Sequence, residues 1–359
     1  CHKVSNDNKK RYIEASNIAS KMPQQRWPYK TTKEGTQTAN LDKYEAPDIK
    51  LTKDFDGLID YSNLFNRIDN VIKEGDRVGK EISLQNFAEV FRFKGSGILT
   101  VTGIPGFGKT EVSDQIILDL ARFYGDETII AGFEQTPEEH LIKISRKLIG
   151  TNITCPSFYQ DKSNKSLIQK ALTFITSKIH HIDVGKTGGN IDSILDVAEN
   201  YIEKAEEEGR TINYLLIDPF NMLSIKTKSG GHEKIEEILR KLNHFSHQKD
   251  IMIILVAHPF KMQKDDKTGL YQIPDFYSVK GSSAFFEMSF HGIVVHRVNG
   301  VNGTEVLVRI LKVKQNNLGK AGADVHFNYE INSGRYIPID ADGNEMEGDH
   351  WDRDWLDKI

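Results

Sequence analysis

The sequence predicts an α/β protein with a mainly parallel central sheet flanked by helices, and with antiparallel strands at its C-terminal end. Strongly apolar runs alternate with amphipathic helical patterns between residues 97 and 257, as in parallel sheets covered on both faces. A glycine-rich segment joins the first run to the first helix. After Ser282, short strands follow one another across Asn-Gly-type turns, as they do in antiparallel hairpins.

The parallel half is predicted from five apolar runs and the helical patterns between them. The predicted strands are Gly97–Gly103, Thr128–Phe133, Ile179–Val184, Ile212–Ile217 and Ile251–Ala257. The predicted helices are about Lys109–Phe123, Pro137–Ile149, Leu167–Lys178, Ile191–Glu208 and Glu233–His247.

Two local signals support this register. Thr136 precedes Pro137 and is followed three residues later by Glu139, the pattern of a capping box. Asn190 is a second predicted N-cap. The C-terminal half is predicted as a short helix, Ser283–Met288, and the strands Ile293–Val298, Val306–Lys314, Val325–Tyr329 and Arg335–Ile339.

Composition excludes several classes of protein. The chain has 359 residues, enough for about two domains, and its 38% hydrophobic and 27% charged residues are typical of a soluble protein. No run approaches the ~18 uncharged apolar residues of a membrane helix, so no membrane partner is expected. Two cysteines, Cys1 and Cys155, are too few for a disulfide framework, which favours a reducing, cytoplasmic compartment.

The charge is unevenly distributed. The net charge of −4 argues at first against a nucleic-acid partner. Residues 340–359 contain eight acidic and two basic residues, so this tail carries −6 and the rest of the chain +2. The tail is either a solvated end or a contact, with Trp351 and Trp355 as anchors, for a basic partner or in competition with DNA.

Four regions are predicted along the chain. Residues 1–55 are polar, lysine-rich and broken by prolines, as in an arm or linker. Leu64, Ile68 and Ile72 fall at a helical spacing that ends at Gly75. The chain begins at Cys1 rather than Met, which suggests an upstream region. The predicted regions are the arm 1–55, a linker-helix region 56–83, the α/β domain 84–339 and the acidic tail 340–359.

The segment Gly103-Ile104-Pro105-Gly106-Phe107-Gly108-Lys109-Thr110 matches the phosphate-binding pattern G-x-x-x-x-G-K-T. It follows a strand and opens a helix, so backbone N–H groups and the positive end of the helix meet at one anion site. Lys109 would reach the β- and γ-phosphates of a nucleotide, and the Thr110 hydroxyl would bind Mg²⁺. The alternative is a glycine-rich turn with a solvated lysine. The candidate nucleotide-binding residues are Gly103, Pro105, Gly106, Phe107, Gly108, Lys109, Thr110 and Glu111.

Three polar residues follow other predicted strands. Asp218 ends an apolar strand and is the candidate second ligand of Mg²⁺; the alternative is a turn aspartate before Pro219. Glu134 follows the strand after the first helix and is placed to polarise an attacking water; the alternative is an ordinary acid at a helix N-terminus. His258 ends a further strand, as a sensor of the γ-phosphate or as a structural histidine.

These residues together resemble the RecA-like replicative helicase domain of the DnaB/Twinkle type, including the phage primase–helicases. The matching stretches lie between Leu84 and Ile337: GIPGFGKT, FEQTPEEHL, LLIDPFN, ILVAHPFK, VKGSSAFFEMSFHGIVVHR and LKVKQNNLGKAG. The resemblance implies a RecA-like P-loop ATPase fold and a homo-hexameric ring. It also implies hydrolysis of ATP, or another NTP or dNTP, with Mg²⁺ at subunit interfaces, and 5′→3′ unwinding around single-stranded DNA.

The resemblance also assigns roles to residues. Glu134 becomes the catalytic carboxylate, Asp218 the acid beside the metal and His258 the γ-phosphate sensor. The loops after the third and fourth core strands would face DNA, although solvated lysine-rich loops are the alternative. The lysines of those loops are Lys226, Lys228, Lys261, Lys264, Lys267 and Lys280.

One position departs from the family pattern. The family places an arginine finger, which reaches the neighbouring subunit's γ-phosphate, where this sequence has Lys314. Lysine keeps the charge but lacks the planar fork of arginine. Lys312 lies two residues earlier on the same face of the strand. The alternatives are a lysine finger at Lys314, substitution by Arg309 or Arg297, or slow hydrolysis.

The resemblance further implies partners and a location. An N-terminal linker helix, best matched by Asp56–Gly75, would dock on the adjacent subunit. A primase, polymerase or other replication protein would bind through the N-terminal region or the acidic tail, in a bacterial cell or a phage-infected host. Two alternatives stay open: a RecA-like strand-exchange ATPase, and a nucleotide-gated assembly module without unwinding activity.

Overall fold

The computed structural model describes residues 79–224, 231–279, 282–340 and 342–346, together with 29–31, 37–39, 68 and 72. The chain divides into two compact units, Cys1–Asn70 and Val71–Ile359. In the first unit, strands β1 (Tyr29–Thr31) and β2 (Gln37–Ala39) pair antiparallel. The predicted linker helix lies outside the described residues, apart from Ile68 and Ile72, which are helical and exposed. Most of the acidic tail also lies outside them.

The second unit contains the α/β domain. Its helices are α1 (Gln85–Ala88), α2 (Lys109–Tyr124), α3 (Pro137–Ile149), α4 (Pro156–Gln160), α5 (Lys162–Lys178), α6 (Val184–Thr187), α7 (Ile191–Glu207), α8 (Gly231–Lys249) and α9 (Ser282–Met288). Its strands are β3 (Gly97–Thr102), β4 (Glu127–Gly132), β5 (Ile179–His181), β6 (Ile212–Asp218), β7 (Met252–Ala257), β8 (His291–Arg297), β9 (Glu305–Val313), β10 (Asp324–Glu330) and β11 (Arg335–Ile339).

The nine strands form one sheet in the order β11-β10-β9-β8-β3-β7-β6-β4-β5. The six strands from β8 to β5 are parallel, and β9, β10 and β11 continue the sheet by antiparallel pairing. The predicted fold class is therefore confirmed. Within the described residues, no helix is long and apolar enough to cross a membrane.

Two apolar cores cover the two faces of the sheet because side chains alternate along each strand. Leu99 of β3 faces the core that contains α2, α3 and α5, and the preceding Ile98 faces the core that contains α7 and α8. Strands β3 and β7 are buried throughout, which explains their uninterrupted apolar sequences. This packing fixes the carboxyl ends of the parallel strands along one edge, where the candidate site lies.

The local predictions mostly agree with the structure. Thr136 forms the predicted capping box with Glu139, and Asn190 caps α7 by accepting a hydrogen bond from the Ser193 N–H. The predicted strand Ile179–Val184 is wrong beyond His181. Asp183 there caps the short helix α6 by accepting a hydrogen bond from the Lys186 N–H, so the chain turns away from the sheet.

Candidate nucleotide and magnesium site

The glycine-rich loop between β3 and α2 has no room for side chains at two positions. Gly103 has φ of 151°, and a Cβ there would lie 2.2 Å from the carbonyl oxygen of Val295. Gly108 has φ of 98°, and its Cβ would lie 2.8 Å from the Tyr336 hydroxyl. Pro105 and Gly106 are exposed at the tip of the loop. The glycines therefore permit a backbone path that packs closely against β8 and β11.

Phe107 anchors the loop to its surroundings. Its side chain is buried, and its ring meets those of His296 and Tyr271 edge to face, with centroids 5.4 and 6.1 Å apart. The Phe107 N–H also donates to the Ile104 carbonyl over 3.1 Å. Phe107 is thus a packing residue of the loop, and its side chain faces the protein interior.

Lys109 is folded into its own loop. Its Nζ donates to the carbonyl oxygens of Gly103 and Ile104 over 2.9 and 3.3 Å, and the residue is only 5% exposed. Burial lowers the pKa of Lys109 to about 8, against the opposing charges of Asp218 and Glu134. A bound polyanion would favour the charged form of Lys109. The side chain is therefore suited to bind phosphate groups that enter the pocket.

Thr110 and Asp218 lie side by side. The Thr110 hydroxyl donates to Asp218 Oδ2 over 2.6 Å, and Asp218 is 7% exposed. Burial raises the pKa of Asp218 to about 6, and the charges of Asp114 and Glu134 act in the same direction. A hydroxyl and a carboxylate are the hard oxygen ligands that Mg²⁺ prefers. The pair therefore fits a magnesium ion, which would also relieve the cost of the buried carboxylate.

Glu134 and His258 complete the edge of the site. Both line a pocket of about 320 Å³ that also contains Lys109, Thr110 and Gly106. Glu134 follows β4 and is exposed. His258 follows β7, and its backbone N–H donates to Asn221 Oδ1 over 2.8 Å. Burial and the Lys109 charge lower the pKa of His258, so the ring favours the neutral form.

A second cavity of about 570 Å³, here called the water chamber, adjoins this pocket. The two share Thr110, Glu134 and Gln135, and Asp218 lines the water chamber. Lys109, Thr110, Asp218, Glu134 and His258 thus line two adjoining cavities, whereas Lys314 lines neither of them. The first is walled by the glycine loop, and the second lies beyond the Thr110–Asp218 pair.

Sequence reasoning missed Lys143 of α3, which also lines the phosphate pocket. Its Nζ lies 2.7 Å from Asp114 Oδ2 and 3.5 Å from Glu111 Oε1. Burial disfavours its charge, but Asp114 and Glu111 outweigh burial and raise the pKa of Lys143. Glu111 also lies 3.3 Å from Lys147, so its carboxylate pairs with two lysines of α3. The sequence signal was a lysine pair at i, i+4 on one face of a predicted helix.

Lys314 lies at the opposite edge of the sheet from its own phosphate loop. Val313 of β9 pairs with His291, the first residue of β8, whereas the loop follows the last residue of β3. Lys314 is exposed, and its Nζ lies 3.8 Å from the centroid of the Phe290 ring. Lys312 donates to the Phe286 carbonyl. Neither lysine reaches the phosphate pocket of the same chain.

The two arginines considered as substitutes have different surroundings. Arg309 pairs with Asp324 through Nε and Nη2, over 2.6 and 2.7 Å. Arg297 lines the phosphate pocket of its own chain, and its Nη1 donates to the Gly303 carbonyl over 2.5 Å. Arg297 therefore lines the candidate nucleotide site of its own chain. Its Cζ lies 5.3 Å from the centroid of the Tyr329 ring.

Three of the six candidate DNA-binding lysines, Lys226, Lys228 and Lys280, lie outside the described residues. Lys261, Lys264 and Lys267 are exposed in the segment that follows β7 at the same edge as the phosphate loop. Lys264 pairs with Tyr271 across a narrow hairpin, with Nζ 5.2 Å from the ring centroid. That hairpin is closed by Asp265, which accepts hydrogen bonds from the Lys267 and Thr268 N–H groups.

Known proteins share both sequence and fold with this chain. No protein-family model matches it. The Twinkle homolog protein, chloroplastic/mitochondrial, of Arabidopsis thaliana is 25% identical over 302 residues, 78% of this chain and 40% of that protein. A solved ATPase domain matches with a TM-score of 0.64 and 13% identity, over 78% of this chain and 99% of that chain. A DnaB-like replicative helicase, solved to show its interactions with primase, matches with a TM-score of 0.62 and 13% identity. That match covers 80% of this chain and 68% of that chain.

In sequence and fold, this chain resembles the RecA-like domains of the DnaB/Twinkle type. The sequence similarity is to the Twinkle homolog, and the structural matches show the fold. The chain spans about two fifths of the length of that curated relative. The predicted resemblance and the predicted fold are therefore confirmed, whereas the roles of the individual site residues stay predictions.

Proposed function

We propose that this protein is an ATP-driven DNA helicase motor. The observation that carries the proposal is that Lys109, Thr110, Asp218, Glu134 and His258 line two adjoining cavities at the carboxyl edge of the sheet. This is the edge where parallel sheets bind ligands. The DnaB/Twinkle type of the domain supports single-stranded DNA as the partner on which the motor acts.

Each side chain has a defined task in the proposed hydrolysis. Lys109 leaves the carbonyls of Gly103 and Ile104 and neutralises negative charge on the β- and γ-phosphates. Thr110 and Asp218 would hold Mg²⁺, which would neutralise negative charge on the phosphates. Glu134 orients and polarises the water that attacks the γ-phosphate in line. His258, neutral and beside Lys109, reports the loss of that phosphate to the segment after β7.

The position of Lys314 supports action between subunits. Lys314 lies at the edge of the sheet that is remote from its own phosphate loop, so a finger at this position must serve a neighbouring chain. A closed ring, six chains in relatives of this type, would give every pocket such a partner. Hydrolysis would then occur at subunit interfaces and require assembly.

Single-stranded DNA is proposed to run past the segments that follow β6 and β7. Both segments leave the edge of the sheet that carries the nucleotide site, and His258 connects the second segment to the phosphate pocket. Their lysines suit phosphate contacts that are independent of sequence. We expect 5′→3′ movement and, as in the DnaB-like relative solved with primase, a replication protein as a further partner.

A second function is favoured by one observation. Lysine at position 314 lacks the planar fork with which an arginine finger holds two phosphate oxygens, a contact worth about 10³–10⁵ in rate. A slow ATPase of this kind would act as a nucleotide-gated assembly or strand-exchange module that does not unwind DNA.

ATP turnover with and without single-stranded DNA tests the proposal. A helicase motor should hydrolyse Mg-ATP and accelerate several-fold when a poly-dT strand is added. The Lys109→Ala variant should lose both rates. A wild-type rate of ATP hydrolysis that does not change when DNA is added would favour the nucleotide-gated module. The absence of ATP hydrolysis would contradict an ATPase of either kind.

A further inference from the structure

Four buried or half-buried residues from α2, α3 and β5 form a continuous chain of polar contacts beside the water chamber. Lys143 Nζ lies 2.7 Å from Asp114 Oδ2, and Asp114 Oδ1 lies 2.9 Å from His140 Nε2. His140 Nδ1 in turn lies 2.8 Å from His181 Nε2. Asp114, His140 and His181 line the water chamber together with Glu134, Thr110 and Asp218. Asp114 and His181 lie outside the matching stretches of the sequence, and His140 lies in one of them, FEQTPEEHL, without an assigned role.

The contacts are all satisfied when both histidine rings are in the Nε2–H tautomer. The Asp114 carboxylate is held by the Lys143 ammonium on one oxygen and accepts a hydrogen bond from His140 on the other. His140 then donates from Nε2 to Asp114 and accepts at Nδ1. His181 must therefore donate from Nε2. Burial lowers the pKa of His181 to about 4, which keeps its ring neutral at pH 7.

The remaining nitrogen of His181 is then a bare acceptor. A neutral imidazole with its proton on Nε2 has a lone pair on Nδ1. Among the described residues, Nδ1 of His181 has no hydrogen-bonding partner, and it is not one of the side-chain atoms sealed from solvent. An acceptor that lines a cavity beside Glu134 and the Thr110–Asp218 pair can hold one proton of a water molecule there.

We propose that His181 is a positioning residue for the attacking water, oriented by His140 and Asp114. This inference rests on the proposed ATP hydrolysis. Glu134 takes one proton of the water into its hydrogen bond, and His181 Nδ1 holds the other. The oxygen lone pair is thereby directed toward the γ-phosphate. The arrangement follows the logic of a carboxylate that fixes the tautomer of a histidine, extended by one ring.

Two substitutions of His181 distinguish positioning of the water from a purely structural contact with α3. The side chain of Asn places its polar atoms near the position of Nδ1, whereas Gln places them near Nε2. His181→Asn keeps an acceptor toward the water chamber and loses the bond to His140; His181→Gln does the reverse. We expect His181→Gln to lower kcat for Mg-ATP about tenfold, the effect of one lost hydrogen bond in the transition state, and His181→Asn to stay within about threefold of the wild type. Mg-ATP affinity should be unchanged in both.

His180 supplies the matched control. It is the preceding residue of β5, and its ring bonds to Glu127 Oε2 over 2.9 Å and Tyr201 Oη over 3.0 Å, away from the water chamber. His180→Gln should leave kcat unchanged. The melting temperature of each variant reports its folding. If His181→Gln is unstable, His181→Phe, which keeps the ring without nitrogens, takes its place with the same expected loss.

The outcomes separate the inference from the proposed function. Equal kcat in the Asn and Gln variants, or a larger loss in Asn, means that His181 only braces α3, and overturns the inference while ATP hydrolysis stands. A wild type that does not turn over Mg-ATP overturns both. A selective loss of kcat in His181→Gln, with normal affinity and melting temperature, supports the positioning role.

Discussion

The Thr110 hydroxyl donates a hydrogen bond of 2.6 Å to Asp218 Oδ2, so the two oxygens proposed to hold magnesium face each other at the ends of α2 and β6. Asp218 lies almost out of contact with solvent, and burial raises its pKa to about 6 from an ordinary value of 3.8. The structure thus keeps a carboxylate where its charge is costly, an arrangement typical of functional sites.

Asp218→Asn should stabilise the protein in the absence of nucleotide. The Asp218 carboxyl binds its proton more tightly in the folded state than in the unfolded state. The contribution of this proton to the free energy of unfolding is fully present below pH 3.8 and is lost as the pH rises through about 6. At pH 7.5 the variant should gain up to about 3 kcal/mol in its free energy of unfolding. The gain should shrink toward pH 4. Urea unfolding at the two pH values measures it, and equal stability at pH 7.5 would contradict the strained carboxylate.

Glu134→Gln should bind Mg-ATP but hydrolyse it at least 10²-fold more slowly, since the amide cannot take up a proton from water. Glu134 is exposed, and its side chain makes no hydrogen bond or ion pair with the described residues. Binding is measured with a fluorescent nucleotide and turnover by phosphate release. Glu138→Gln, on the next helix, is the matched control, because Glu138 is exposed and lines neither cavity. Normal turnover in Glu134→Gln would remove this residue from the chemistry.

Tyr336 should strengthen the binding of ATP and ADP by the phosphate loop. Its hydroxyl donates to the Gly108 carbonyl over 3.3 Å, and that carbonyl belongs to the peptide unit that carries the Lys109 N–H of the phosphate loop. Tyr336→Phe keeps the ring and removes only this contact, so ATP and ADP should both bind about fivefold more weakly at unchanged kcat. Isothermal titration checks this. A fall in melting temperature with unchanged affinity would assign Tyr336 to the core alone.

Lys314 should act on a neighbouring subunit. Lys314→Ala should bind nucleotide normally and lose DNA-stimulated hydrolysis, because its side chain is remote from its own pocket. Mixed with Lys109→Ala, which has an intact Lys314 and an inactive pocket, it should regain part of the rate. Lys320→Ala, in the loop after the same strand, is the control. Failure of the mixture to recover activity would contradict the action between subunits.

What the sequence predicted and what it missed have different physical origins. Lys109 and Thr110 were predicted because a loop that binds phosphate needs glycines and a following helix within a few residues. Asp218 was predicted from its strand. Lys143, His181 and Tyr336 were missed because their partners are distant in sequence: His181 meets His140 only when β5 pairs with β4. The end of β5 was misjudged because the Asp183 cap competes with an apolar strand pattern.

This RecA-like domain is proposed to convert ATP hydrolysis into DNA unwinding. The direct test is strand separation of a forked duplex with a 5′ single-stranded tail, in Mg-ATP, by the wild type and Lys109→Ala. We expect separation by the wild type, dependence on the 5′ tail, and none with Lys109→Ala. Hydrolysis stimulated by DNA without any strand separation on either tail would contradict a helicase.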